Sequence, residues 1–421
     1  MKLIPKRKKG EFYRHMKIIQ INATYGYAST GIIVKDIEHM LLRQSHETGV
    51  VYQSADMAPC NGYRMGNFLD WKLHALHTRF LGKQAYASKF ETKRMLCWLK
   101  KQKPDIVHLH NLHSNYINLN MLLDFLAKED IATVITLHDC WFFTGKCFHY
   151  VQSNCDKWKT ECCHCPRNKM DVTSWFFDAS QNVYRDKKRG FHKIPRLTVV
   201  PCSNWMEQQV RASFLQEKNI VRIYNGVDLD LFFPHETDLR TQYGLNEKFL
   251  IFGAANKWLA LENKKLFTSF LAEMKEDERL VLFGCTDEMK EVVKAYNKVL
   301  ALGYIKDRSI MSDWFATVDM FANVTLADTL PTVNMEAAAC GTPVVTYAIG
   351  GSQELVIDEE TGYIVEPGDE IAFLQAIAKV KSKRIERERC RLFAASSFDK
   401  AKNYLEYLKL YKKILSGEEN A

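Results

Sequence analysis

The sequence predicts an α/β protein built from two Rossmann-like halves, and three observations carry that prediction. Short apolar runs such as KIIQIN (17–22), TVITLH (133–138) and FLIFGA (249–254) each end in a polar or glycine-bearing turn and lead towards a helical pattern. Residues 320–348 read strand, turn, helix, strand within fewer than thirty positions. Finally, 421 residues exceed what one core usually organises, so two domains of about 200 residues each are expected.

Composition narrows the class. With 47% hydrophobic and 26% charged residues the chain is an ordinary globular protein. It has no window of about 18 uninterrupted apolar residues, so no spanning helix is expected. The opening MKLIPKRKKGEFYRHM is basic without the apolar core of a secretory signal, which predicts a cytoplasmic protein with a basic tail over 1–16. A net charge of +8 has two readings: a solvated surface, or attraction to anionic lipid that would hold the protein peripherally at the inner face of the plasma membrane. Nucleic acid is not an expected partner, because no basic stretch is interleaved with aromatic residues.

In chain order, 17–22 is a strand, and Gly26, Ser29, Thr30 and Gly31 lie in a glycine-bearing turn before a helix at 32–42. The turn lacks the G-x-G-x-x-G spacing, so a dinucleotide is not predicted. A buried strand at 106–109 follows, with His108 on it and His110 and His113 at its carboxyl end, the side of an open sheet where ligands bind. His108 is the better candidate for a structural histidine. His138 and Asp139 occupy the same end of the strand 133–138.

Residues 145–166 form a cysteine-rich insertion in which five of the 12 cysteines fall within 19 positions. Cys147, Cys155, Cys162 and Cys165 offer four thiolates for a structural zinc, with Cys163 and His164 as spares. Reduced thiols and a redox-labile disulfide are the alternatives. Residues 174–196 pattern as an amphipathic helix, read either as a face docked on its own domain or as a membrane contact. Strands are expected at 197–201, 249–254, 279–284 and 299–304, and helices from Ser203, from Lys264 and over 313–318.

The segment DTLPTVNMEAAACGTPVVTYAIGG (328–351) organises the second half. Pro331 suits a first helical turn, residues 332–339 a short helix, Gly341 its stop, and 344–348 the next strand. Such a helix start points unpaired N–H groups and a partial positive charge at whatever lies above it, which suits a phosphate. Asp328 precedes this helix and Glu336 lies within it, eight positions on; carboxylates there can accept hydrogen bonds from sugar or ribose hydroxyls. Gly350 and Gly351 allow backbone to approach a ligand closely. A final helix over 400–415 carries Tyr404, Leu408, Tyr411 and Leu415 at helical spacing.

Those motifs resemble the E-x7-E region of retaining nucleotide-sugar glycosyltransferases of family 4, which have the GT-B fold, and within it the colanic-acid, capsule and exopolysaccharide enzymes. The family's first Glu is Asp328 here. The resemblance implies an N-terminal Rossmann-like acceptor domain (17–224), a hinge (225–240), a C-terminal donor domain (241–398) facing it across a central cleft, and a helix (399–421) crossing back to the first domain. It places Gly26, Ser29, Thr30, Gly31, His110 and His113 on the acceptor side and His138 on the transferred sugar. Lys264, Leu330, Pro331, Thr332, Val333, Asp328 and Glu336 would hold the donor, with Lys257 where the family usually has Arg. The implied donor is a UDP- or GDP-sugar and the acceptor a saccharide or lipid-linked saccharide. No cofactor is required for catalysis, so the D-x-D at Asp228 and Asp230 is expected to be incidental. A non-catalytic nucleotide-binding subunit and a zinc-organised nucleic-acid- or partner-binding protein are the rival readings.

Overall fold

A computed structural model describes residues 15–417, so most of the predicted basic tail and the last four residues of the predicted C-terminal segment lie outside the described residues. The chain divides into two compact units, with boundaries at Tyr224/Asn225 and Asn403/Tyr404.

In the first unit seven parallel strands run in the order Gly62–Arg64, Glu47–Tyr52, Lys17–Ile21, Ile106–Leu109, Ala132–Leu137, Leu197–Pro201, Asn219–Ile220. Strands buried on both faces read as continuous apolar runs, which is why IVHL and ATVITL were legible. The chain winds outward from Lys17–Ile21 and then returns to its other side, where Ile18 pairs with Ile106 and Ile21 with Leu109. The carboxyl ends of these two strands are therefore a topological switch point. From Tyr404 onward the helix Lys400–Ser416 belongs to this unit, and Tyr404, Tyr407, Leu408 and Tyr411 pack with Ile18, Ile106, Val134 and Val200. His108 is structural, as expected: its ring nitrogens meet Tyr411 Oη and Thr136 Oγ1, each at 2.7 Å.

In the second unit six parallel strands run in the order Val299–Ala301, Glu278–Phe283, Phe249–Ala254, Met320–Asn323, Val344–Tyr347, Gly362–Val365. Its switch point lies between Phe249–Ala254 and Met320–Asn323, where Ile251 pairs with Met320.

Several boundaries differ from expectation. The first helix is Ala28–Arg43, so Ser29, Thr30 and Gly31 lie in its first turn rather than in the loop. The helix predicted over 313–318 starts earlier, at Arg308, because Asp307 caps it by accepting from Ser309 N–H. The amphipathic helix is only Ser180–His192, and Val183, Tyr184, Lys187 and Phe191 are buried, which makes it a face docked on its own domain. The aromatic residues that precede it, Trp175, Phe176 and Phe177, stay exposed.

Candidate functional site

At the first unit's switch point, a His–His pair and a His–Asp pair stand side by side. Gln20 breaks the apolar run of its strand, and its side-chain amide donates to Val34 O at 3.0 Å, which turns Oε1 towards His110 Nε2 at 3.2 Å. His110 must then donate from Nε2, so its Nδ1 accepts from His138 Nε2–H at 3.0 Å. The chain of donors fixes His138 with Nε2 protonated and Nδ1 unprotonated. Burial lowers His138 to about 4, with Asp139 pulling it up and His113 pushing it down, so both rings are neutral at pH 7. The second pair is His113 Nε2 with Asp139 Oδ2, at 2.8 Å. Burial works to raise Asp139, yet the neighbouring His113 and the Trp141 N–H hold it below the usual carboxylate range.

Gly26 (φ +81°) turns the chain after Lys17–Ile21, and its N–H donates to Gly31 O at 3.0 Å. The helix that follows has Tyr27 at its cap position and no side-chain cap, with Ser29 exposed and Thr30 half-buried at its start. Gly31 is buried, and a Cβ there would meet Thr24 Oγ1 at 2.7 Å, so the helix packs too closely for a larger residue.

In the second unit the helix Thr332–Ala339 also begins without a side-chain cap, behind Pro331, which has no N–H to offer. Thr332 and Val333 are half-buried, Leu330 and Pro331 buried. Asp328 Oδ1 accepts from Leu330 N–H at 3.0 Å and so shapes the turn into the helix. The turn is locked from behind by Gly350 (φ +54°), where a Cβ would lie 1.8 Å from Asp328 O, while Gly351 N–H donates to Thr329 O at 3.0 Å. Gly350→Ala is accordingly expected to destabilise the protein by at least about 2 kcal/mol in denaturant unfolding; an unchanged midpoint would contradict this packing.

The other side of the switch point is the loop between Phe249–Ala254 and Lys264–Glu273. Buried Asn263 pins it by donating to Lys257 O and Val324 O, both at 2.9 Å. Lys264 is exposed and Lys257 half-buried. Among the described residues neither ammonium pairs with a carboxylate, although neighbouring Lys265 pairs with Glu370.

Glu336 is nearly buried, 6% exposed, and its Oε1 accepts from Arg308 Nη2 at 2.8 Å. Burial pushes its pKa up while the Arg308 guanidinium opposes that shift. Its Oε2 has no hydrogen bond among the described residues. Arg308, itself half-exposed beside the Phe232 ring at 5.0 Å, has no motif that would have marked it from sequence. Gln20 also escapes the sequence reading, although a polar residue inside an apolar strand is a signal that could have found it; Asp139 is legible at its strand end but not its pairing with His113.

One sequence expectation changes. The four predicted zinc ligands are not assembled: among the described residues no three His, Cys, Asp or Glu side chains are grouped to hold a metal ion. Cys147 and Cys165 lie 4.0 Å apart, and Cys155 and Cys162 line the same pocket, but Cys162 Sγ accepts from Gly145 N–H at 3.2 Å. The insertion is held instead by buried Trp158, by Tyr184 Oη donating to Trp158 O and Thr160 O, and by the Arg167–Asp171 ion pair. All 12 cysteines are free thiols. In the D-x-D, Asp228 Oδ1 accepts from Asp230 and Leu231 N–H, and Oδ2 pairs with Lys400 at 2.7 Å.

Comparison with known proteins places this geometry. Residues 31–231 match the family Glycosyltransferase Family 4, and residues 247–382 match Glycosyl transferases group 1. Sucrose-phosphate synthase from Thermosynechococcus elongatus has the same fold, with a TM-score of 0.71 at 18% identity over 96% of this chain and 100% of that one. Anabaena Alr3699/HepE, solved with UDP and glucose, superposes with a TM-score of 0.63 at 17% identity over 94% and 99% of the two chains. The Escherichia coli (strain K12) protein provisionally named colanic acid biosynthesis glycosyl transferase WcaC is 40% identical over 68 residues, 15% of this chain and 16% of its own length. Two further curated relatives match at 25–26% identity, and the chain spans about half of their length, 45% and 56%. Among the described residues no helix is long and apolar enough to cross a membrane.

Proposed function

We propose that this chain, a family 4 glycosyltransferase of GT-B fold by the two domain families that match it, moves a sugar from a UDP- or GDP-sugar onto a saccharide or lipid-linked saccharide in cell-surface polysaccharide synthesis. The observation that carries the reading is the uncapped helix start at Pro331–Val333. It lies at a switch point whose opposite loop bears Lys257 and Lys264, two ammonium groups without carboxylate partners among the described residues. Cation and N–H donors together suit a diphosphate. The WcaC similarity supports the cell-surface role, and the UDP and glucose held by Alr3699/HepE support the donor class.

In the proposed step the bond between the sugar's C1 and the donor diphosphate oxygen breaks, and the acceptor hydroxyl oxygen bonds C1 on the same face, so that configuration is retained. The acceptor proton passes to the departing phosphate oxygen, and the nucleoside diphosphate leaves with it. Lys264 and the helix start stabilise the charge that grows on that leaving group. Glu336 Oε2 accepts from a ribose hydroxyl, Asp328 orients the sugar-side turn, and His138 contacts the transferred sugar. No metal is assigned a part in this step.

A thermal-shift panel of nucleoside diphosphates and their sugars tests the proposal. The matching donor at 100 times its Kd is expected to stabilise the protein by about 2.7 kcal/mol, and Lys264→Ala to remove most of that gain. Absence of any shift from uridine or guanosine diphosphates and their sugars would overturn the donor assignment. Binding without sugar transfer to any saccharide acceptor would instead favour a non-catalytic nucleotide-binding subunit.

A further inference from the structure

The helix Phe68–Leu81 is built inside out. It buries His74 and Thr78 and exposes Phe68 (67%), Leu69 (62%), Leu73 (58%), Leu76 (45%) and Phe80 (41%). Positions 69, 73, 76 and 80 follow the three-to-four spacing of a single stripe. A soluble surface ordinarily shows the reverse pattern, and an exposed apolar stripe of this length marks a binding surface. The stripe does not end with the helix. Phe80 packs against Trp175 at 5.2 Å and Phe176 at 5.4 Å, and Trp175 N–H donates to Arg79 O at 2.6 Å, which fixes the aromatic run 175–177 alongside.

Cations border these apolar residues. Lys72 Nζ lies 4.5 Å over the Phe68 ring and the Arg79 guanidinium 5.9 Å over Trp175, while Lys169 Nζ donates to Trp175 O. Among the described residues Lys72, Arg79, Lys83 and Lys169 pair with no carboxylate. The helix's only acid, Asp70, accepts from Asn67 N–H in its capping box. Aliphatic and aromatic tips surrounded by snorkelling, unneutralised cations are the composition of an element lying in a membrane interface. At 14 residues, about 21 Å, the helix is too short to span the bilayer, so it would lie in the plane of the headgroups.

We infer that the surface formed by Leu69, Leu73, Leu76, Phe80, Trp175 and Phe176 docks this protein onto a bilayer containing anionic lipid, the apolar tips entering between headgroups and the cations meeting lipid phosphates. The charge excess is what selects an anionic membrane over an apolar protein partner. Of the segment expected over 174–196, only the aromatic residues ahead of the helix Ser180–His192 belong to this surface, which stands independently of which sugar is transferred.

The test is co-sedimentation of the full chain with vesicles of phosphatidylcholine alone and of phosphatidylcholine mixed with phosphatidylglycerol, without donor or acceptor. The wild type is expected to bind the mixed vesicles, less so as salt rises. The triple variant Leu69→Ser, Leu73→Ser, Leu76→Ser is expected to weaken partitioning at least tenfold. Lys72→Glu with Arg79→Glu is expected to weaken it at least tenfold as well, since each cation near the surface contributes roughly fivefold. All substituted positions are solvent-facing, and an unchanged thermal melt confirms that the variants fold. Failure of the wild type to bind the mixed vesicles, or undiminished binding by both variants, overturns the inference. So does ultracentrifugation showing that the wild type is a dimer and the triple variant a monomer, because the stripe would then cover a second copy of the chain.

Discussion

Glu336→Ala is expected to lower kcat/KM at least about tenfold, with most of the loss in donor affinity. The carboxylate has one oxygen committed to Arg308 at 2.8 Å, and its other oxygen is the proposed acceptor for the ribose. A hydrogen bond to a charged group contributes about 1.5–3 kcal/mol, and each 1.4 kcal/mol is tenfold, so the range is about ten- to a hundredfold. Glu336→Gln separates the two duties. It keeps the size and an acceptor but weakens the hold on Arg308, so it should fall between wild type and alanine. Near-normal turnover with normal KM in Glu336→Ala would show that this acid, 6% exposed, is only a structural partner of Arg308.

Acidification is the second large effect. Burial lowers His138 to about 4 and His74 to about 3, and it takes His108 and His110 well below their ordinary value. Unfolding releases each to about 6.5, so between that value and the folded pKa the unfolded chain binds more protons, and stability falls as pH falls. Each group contributes up to about 1.4 kcal/mol per pH unit. Glu38 and Glu336, which burial raises, work in the opposite sense over part of the same range. The four histidines outweigh them, and Tm should drop steeply from about pH 6.5 to 5. His74→Gln should flatten that slope by about one proton. A melt unchanged between pH 7 and 5 would mean that these rings are not held neutral.

Sequence alone was enough for the frame. Buried parallel strands must be apolar on both faces, so IIQI, IVHL, ATVITL and LIFG announced themselves. The uncapped helix behind Pro331 was equally legible, because proline, glycine and short residues at those spacings allow few other backbones. Local signals also marked His110 and His138, which directly follow the strands Ile106–Leu109 and Ala132–Leu137. Tertiary structure decided what those residues touch. Gln20 selects the His138 tautomer from ninety or more residues away in the chain, Arg308 reaches Glu336 from a separate helix, and Tyr411 fixes His108 across 303 positions. No local pattern encodes such partners, because they depend on which strands become neighbours. The cysteine cluster shows the converse limit, since suggestive spacing did not bring four sulfurs to one point. Helix periodicity, likewise, marks an apolar stripe at 69, 73, 76 and 80 but not its direction: only packing of His74 and Thr78 against the domain turned that stripe outward.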